Sequence, residues 1–201
     1  MSFVIALTIN NQLYMASDSQ ATYEDGSIST NDYEKIKHFG SNKLIGFTGD
    51  LEICEKLWLT LNNSPIIPDK MNPYTTASII SKKMEELYKN KYDRNKRICK
   101  FIIGGVTNST DSTVINQIKE YVIYTVESDD FQVIEKAVSK GNEIHYTFLR
   151  SKHISDNTVI KIIEDVFYNY KDTIPNVLKE IIRRISAHDK TVNSKVSIKT
   201  I

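Results

Sequence analysis

A chain of 201 residues, 40% of them apolar, is long enough to bury one sizeable core, and a single domain over 1–201 is expected. Its 26 basic and 25 acidic residues are interspersed and leave a net charge of +1, so neither a nucleic-acid surface nor a membrane surface is implied. The sequence shows no signal-peptide pattern and no apolar run of membrane-spanning length, and a cytoplasmic location is expected. Cys54 and Cys99 lie in apolar periodic segments without metal-like spacing and read as buried free thiols.

Residues 3–9 form an uncharged, β-branched apolar run, Asn10-Asn11 is a turn dipeptide, and residues 13–16 return as a second apolar segment ending on Asp18. This pattern predicts a β-hairpin that begins immediately after Ser2 and brings Ser2 and Asp18 to one end of a sheet. Residues 23–32 are polar and contain the turn signal Asp25-Gly26. A second hairpin is expected from 33–39 and 43–48, with Gly40-Ser41-Asn42 between them. Asp50 suits a helix N-cap, and Leu51, Ile53, Cys54, Leu57, Trp58 and Leu61 recur at helical spacing. Pro65 and Pro68 interrupt that helix. A second helix is expected from near Thr75, with Ala77, Ile80, Met84, Leu87 and Tyr88 on its buried stripe. The basic stretch 89–100 reads as a solvated loop. Residues 98–106 predict a strand, 107–113 a polar loop, and 121–126 with 131–134 a third hairpin. From Asn142 three helical pieces are expected: a short one, then 157–171, then 174–188. Residues 194–201 close as a strand. Grouped strands and grouped helices predict antiparallel sheets covered by helices, an α+β class.

The segments Ser2-Phe3-Val4-Ile5-Ala6-Leu7 and Ala16-Ser17-Asp18-Ser19-Gln20-Ala21-Thr22 resemble the start of a proteasome β-subunit. That family belongs to the N-terminal-nucleophile hydrolases and includes the HslV-like peptidases. Tyr33-Glu34-Lys35-Ile36, Leu44-Ile45-Gly46-Phe47-Thr48-Gly49 and Ala187-His188-Asp189 continue the resemblance along most of the chain. It implies a four-layer αββα sandwich of two antiparallel sheets. It also implies catalytic roles for Ser2, Asp18, Lys35, Gly49 and Asp189. Ala21, Tyr33, Lys37, Phe47, Leu51 and Glu55 fall where the family binds the side chain preceding the scissile bond. The implied substrate is a peptide or unfolded protein, and the implied assembly is a homo-oligomeric ring, with an ATPase among its candidate partners. Neither a metal nor an organic cofactor is implied. Two departures stand out: Val192 replaces a serine that follows the C-terminal aspartate, and Ser139-Lys140-Gly141-Asn142 is the nearest match to a Gly-Ser-Gly segment.

The chemistry asks for these residue types. A serine hydroxyl is a poor nucleophile until a base removes its proton. At a chain terminus the residue's own α-amine, with a reference pKa of about 7.7–8.0, can be that base. For Ser2 this requires loss of Met1, which a small second residue permits. Taken alone, Met-Ser is also a common start, Asp18 suits a strand-ending turn, Lys35 suits an exposed strand face, and Gly49 suits a tight strand-to-helix turn. A buried Asp18–Lys35 pair would keep both groups ionised, and the ammonium would lower the pKa of a neighbouring amine or hydroxyl. The leading expectation is an amidohydrolase that cleaves peptide bonds through an acyl-ester on Ser2. The alternatives are an inactive proteasome-like ring subunit acting in assembly or binding, and an N-terminal-serine acylase of small amides, which has no need of the Asp18–Lys35 pair. His38, His145, His153 and His188 are scattered and read as structural or exposed.

Overall fold

The computed structural model describes residues 2–22, 27–93, 97–108, 119–140 and 143–201. In chain order the first elements are β1 (Val4–Ile9), β2 (Gln12–Asp18), β3 (Ala21–Thr22), β4 (Ile28–Thr30), β5 (Ile36–His38) and β6 (Lys43–Gly49). Then come α1 (Leu51–Asn62), a 3-10 turn at Pro68–Lys70, α2 (Pro73–Asn90), β7 (Cys99–Asn108), β8 (Lys119–Glu127) and β9 (Val133–Lys140). The chain finishes with β10 (His145–Leu149), α3 (Asp156–Asn169), α4 (Ile174–His188) and β11 (Val196–Thr200).

The first hairpin pairs Val4 with Ser17 through Ile9 with Gln12. Asn10 and Asn11 both take positive φ, 52° and 56°, the backbone that a two-residue turn matched to strand twist requires. On either side β10 and β11 pair antiparallel, giving the sheet order β10-β1-β2-β11. The second sheet runs β5-β6-β7-β8-β9, antiparallel throughout.

Alternation along β1 divides the layers. Phe3, Ile5, Leu7 and Ile9 face one way, into a core with Val159, Ile163, Val166, Leu178, Ile181 and Ile185 of α3 and α4. Val4 and Ala6 face the other way, against Leu13, Met15, Ile36, Leu44, Ile102 and Ile123 between the two sheets. On the far face of the second sheet Ile45, Phe47, Phe101 and Ile103 pack under Ile53, Leu57, Ala77, Ile80 and Met84 of α1 and α2. The result is the expected four-layer αββα sandwich. Gly46 lets the two sheets approach closely: a Cβ there would lie 2.7 Å from Met15 Sδ and 2.8 Å from Val4 Cγ1.

Several expectations need correction. The short helix expected after 142 is instead strand β10, whose Tyr146 and Phe148 pack toward α3 and α4 while Leu149 points between the sheets. The polar stretch before Tyr33 contributes a short strand, β4, which pairs with β3. Helix α2 starts at Pro73, near Thr75 as expected, and is capped by Asn72, whose side chain accepts from Thr75 N–H at 2.7 Å. The Asp25-Gly26 turn, Gly141-Asn142 and most of the 107–113 loop lie outside the described residues, as do Met1 and three residues of the basic stretch. Among the described residues no helix is long and apolar enough to cross a membrane.

Candidate active site

The end of the first hairpin gathers the first group of candidates. Ser2 is 7% exposed, Asp18 is fully buried, and Lys35 is 2% exposed. Lys35 enters just before β5, where its carbonyl accepts from Phe47 N–H at 3.2 Å, so its stem is pinned to β6. Its Nζ donates to Asp18 Oδ2 at 2.7 Å. Asp18 also accepts from Gln20 N–H at 3.0 Å on the same oxygen and from Phe3 N–H at 2.8 Å on the other. The carboxylate that holds Lys35 thus also holds the residue next to Ser2.

Burial pulls the Lys35 ammonium below the ordinary lysine range, opposed by the charge and hydrogen bond of Asp18. Burial likewise pushes the Asp18 carboxyl upward against the pull of Lys35 and two backbone N–H groups. The charge of each group opposes the shift that burial imposes on the other.

Ser2, Lys35 and Gly49 share one small cavity of about 20 Å³, together with Ala21, Thr22, Phe47, Thr48 and Leu51. Gly49 ends β6 with φ +108°, and a Cβ there would come within 2.2 Å of the Ile98 carbonyl oxygen. Only glycine fits this junction. The next residue, Asp50, donates its N–H to that same carbonyl at 2.7 Å and caps α1 by accepting from Ile53 N–H at 3.2 Å. Arg97 grips the Asp50 carboxylate through Nε at 2.6 Å and Nη2 at 2.9 Å, and reaches Glu52 at 2.8 Å.

Of the residues expected to bind substrate, Ala21, Phe47 and Leu51 line the cavity. Tyr33, Lys37 and Glu55 do not. Tyr33 packs edge-on against Phe47 and donates its hydroxyl to the Glu55 carboxylate, while Lys37 stands over the Tyr33 ring and pairs with Glu34. Thr22 and Thr48 also line the cavity, although no sequence signal separated them from ordinary strand threonines.

Asp189 follows the last turn of α4 and is buried. It accepts from the Ser151 hydroxyl on one oxygen, and on the other from Thr191 N–H at 2.9 Å and Thr191 Oγ1 at 2.7 Å. Burial raises its carboxyl, but these bonds from Ser151 and Thr191 outweigh it and hold the pKa below the usual aspartate value. Ser151 escaped the sequence reading. The nearest motif match, Ser139, lies in β9 and donates to the Glu143 carbonyl at 3.2 Å, whereas the serine that meets Asp189 sits between β10 and α3. Val192 is buried in the apolar layer under α4. Gln20 links the two acidic centres: its N–H serves Asp18, and its Nε2 donates to the Lys190 carbonyl at 3.1 Å. Among the described residues no group of three or more His, Cys, Asp or Glu is arranged to hold a metal ion.

No family model matches the chain, and no curated protein matches it in sequence. Solved structures do. The crystal structure of eukaryotic HslV from Trypanosoma brucei superposes with a TM-score of 0.65 at 12% identity, covering 98% of each chain. Anbu, the ancestral beta-subunit from Yersinia bercovieri, superposes with a TM-score of 0.69 at 15% identity, covering 99% of this chain and 81% of its own. The chain carries the proteasome-like αββα fold of HslV and Anbu.

Proposed function

We propose that the protein is an N-terminal-nucleophile amidohydrolase that cleaves peptide bonds, with Ser2 as nucleophile once Met1 is removed. The observation that carries this reading is the meeting of Ser2, Lys35 and Gly49 in one cavity, with the Asp18–Lys35 ion pair buried beneath it. In this mechanism the Ser2 Oγ attacks the amide carbonyl while its own α-amine takes the hydroxyl proton, directly or through a water. Lys35, held by Asp18, lowers the pKa of that amine so that it is free to accept a proton near neutral pH.

The developing oxyanion falls to the Gly49 N–H. Strand alternation supports that assignment: Phe47 N–H points to the β5 side of β6, where it meets the Lys35 carbonyl, and the N–H two residues on belongs to the same edge. The tetrahedral intermediate then collapses, the α-ammonium gives its proton to the departing amine, and an acyl-ester remains on Ser2. Water attacks that ester with the amine again as base, releasing an acid; a second amine in place of water gives transpeptidation. Asp189, fixed by Ser151 and Thr191, completes the set by anchoring the segment that Gln20 binds. A homo-oligomeric ring fed with peptide or unfolded protein is the assembly proposed for it.

One observation favours the second reading, an inactive ring subunit: Val192 supplies no hydroxyl where the resemblance expects one. Reaction with a peptide epoxyketone or β-lactone decides between the two. The nucleophile reading predicts that wild type gains the mass of one probe and that Lys35→Ala gains none. Labelling of Lys35→Ala at the wild-type rate would remove Lys35 from the mechanism.

A further inference from the structure

We infer that the site accepts substrates whose acyl side carries a small, uncharged side chain, of the size of alanine or serine, because a braced aromatic wall closes the cavity beside Ser2. The inference rests on Ser2 being the nucleophile. The cavity offers about 20 Å³, room on the order of one small group. A methyl or hydroxymethyl group matches that size; a phenylalanine or lysine side chain does not.

The walls resist enlargement. Phe47 is 1% exposed and held from two sides, tilted on Phe101 at 5.7 Å and met edge-on by Tyr33 at 6.4 Å. The Tyr33 hydroxyl donates to the Glu55 carboxylate. Glu55 lies one helical turn beyond Leu51, the helix residue that lines the cavity, so this bond ties the segment before β5 to α1 behind the Phe47–Leu51 wall. Lys37 and Glu55, which stand behind the wall, both have protein partners. Lys37 is paired with Glu34 at 3.5 Å and stands 6.0 Å over the Tyr33 ring, while Glu55 is occupied by Tyr33. Burial pushes the Glu55 carboxyl up, which further weakens it as a partner for a basic side chain. Tyr33 and Glu55 therefore act as specificity-determining residues from behind the wall.

The test uses three peptide epoxyketones identical except for alanine, phenylalanine or lysine next to the ketone, with modification of the full chain followed by intact mass. The alanine probe should react at least about tenfold faster than either of the others, the penalty expected for forcing extra methylenes into a closed site. Tyr33→Ala removes the brace and should narrow the alanine-to-phenylalanine ratio. Tyr33→Phe, which keeps the ring and loses only the bond to Glu55, should narrow it in the same direction and serves if Tyr33→Ala does not fold. Equal or faster reaction of the phenylalanine or lysine probe with wild type overturns the inference while leaving the nucleophile in place. An unchanged ratio in a folded Tyr33 variant overturns the role of the brace. If no probe reacts with wild type, the nucleophile reading fails and this inference fails with it.

Discussion

Lys35 is the residue on which the proposed chemistry turns, because its charge, held in a buried place by Asp18, is what lowers the pKa of the Ser2 amine. Lys35→Ala leaves Asp18 as an unpaired buried carboxylate, a change that typically costs about 3–5 kcal/mol, so thermal melting should drop along with probe reaction. Lys35→Arg keeps the charge but replaces a compact ammonium with a planar group; that variant is expected to fold and to fail in the labelling assay. The pH dependence follows from the direction of the shift. Because the folded pKa of Lys35 is depressed, its proton leaves below the ordinary value of 10.5, and labelling should decline on the alkaline side before that point. Across the same window the unfolded chain holds more protons than the folded one, so this group's contribution to stability rises with pH. Loss of reaction there without loss of folded signal separates catalysis from unfolding. Gly49→Ala forces φ +108° on a residue with a Cβ and drives it into the Ile98 carbonyl, so melting should fall and reaction cease. Single-residue signals in the sequence were weak, since a strand-ending aspartate and a strand lysine are commonplace. Ser151 gave no signal at all, because its meaning lies in a contact with Asp189, 38 positions away.

Among elements, the start of α1 carries the most consequence. Asp50 caps the helix, is gripped by Arg97, and lies between two cavity residues, Gly49 and Leu51. Arg97→Ala should lower the melting temperature and slow probe reaction together, whereas Arg97→Lys should recover part of the stability and less of the rate, because it cannot bind both carboxylate oxygens in a fork. The connection from β10 to α3 is tied to the end of α4 through Ser151 and Asp189. Ser151→Ala removes a hydrogen bond to a charged acceptor, worth roughly 1.5–3 kcal/mol, measurable by thermal melting at neutral pH. The depressed Asp189 pKa contributes stability above the ordinary value of 3.8 that is lost as pH falls through the folded pKa; in Ser151→Ala that contribution should shrink. Most elements were legible from local pattern: the Asn10-Asn11 turn, the Asp50 cap and the stripes of α1 and α2. Strand β10 was not. Among the described residues it is an edge strand paired with β1, from Thr8↔His145 to Val4↔Leu149, and that long-range pairing leaves no local mark on a five-residue segment.

At the scale of the whole molecule, the layering itself could not be read from periodicity. Which face of β1 meets helices and which meets a sheet is decided by packing; the family resemblance supplied the four layers, and the three apolar clusters locate them. The proposed ring predicts a homo-oligomer larger than a dimer, and sedimentation showing a monomer at micromolar concentration would count against it. The central claim, however, is chemical and concerns one atom. The most direct measurement is the mass of the chain purified from its own host, before and after a peptide epoxyketone, with the modified residue located by peptide mapping. The account predicts a mature chain beginning at Ser2 that gains one probe, with both Oγ and the α-nitrogen of Ser2 bonded to it. Quantitative retention of Met1, or an adduct on any other residue, would contradict it.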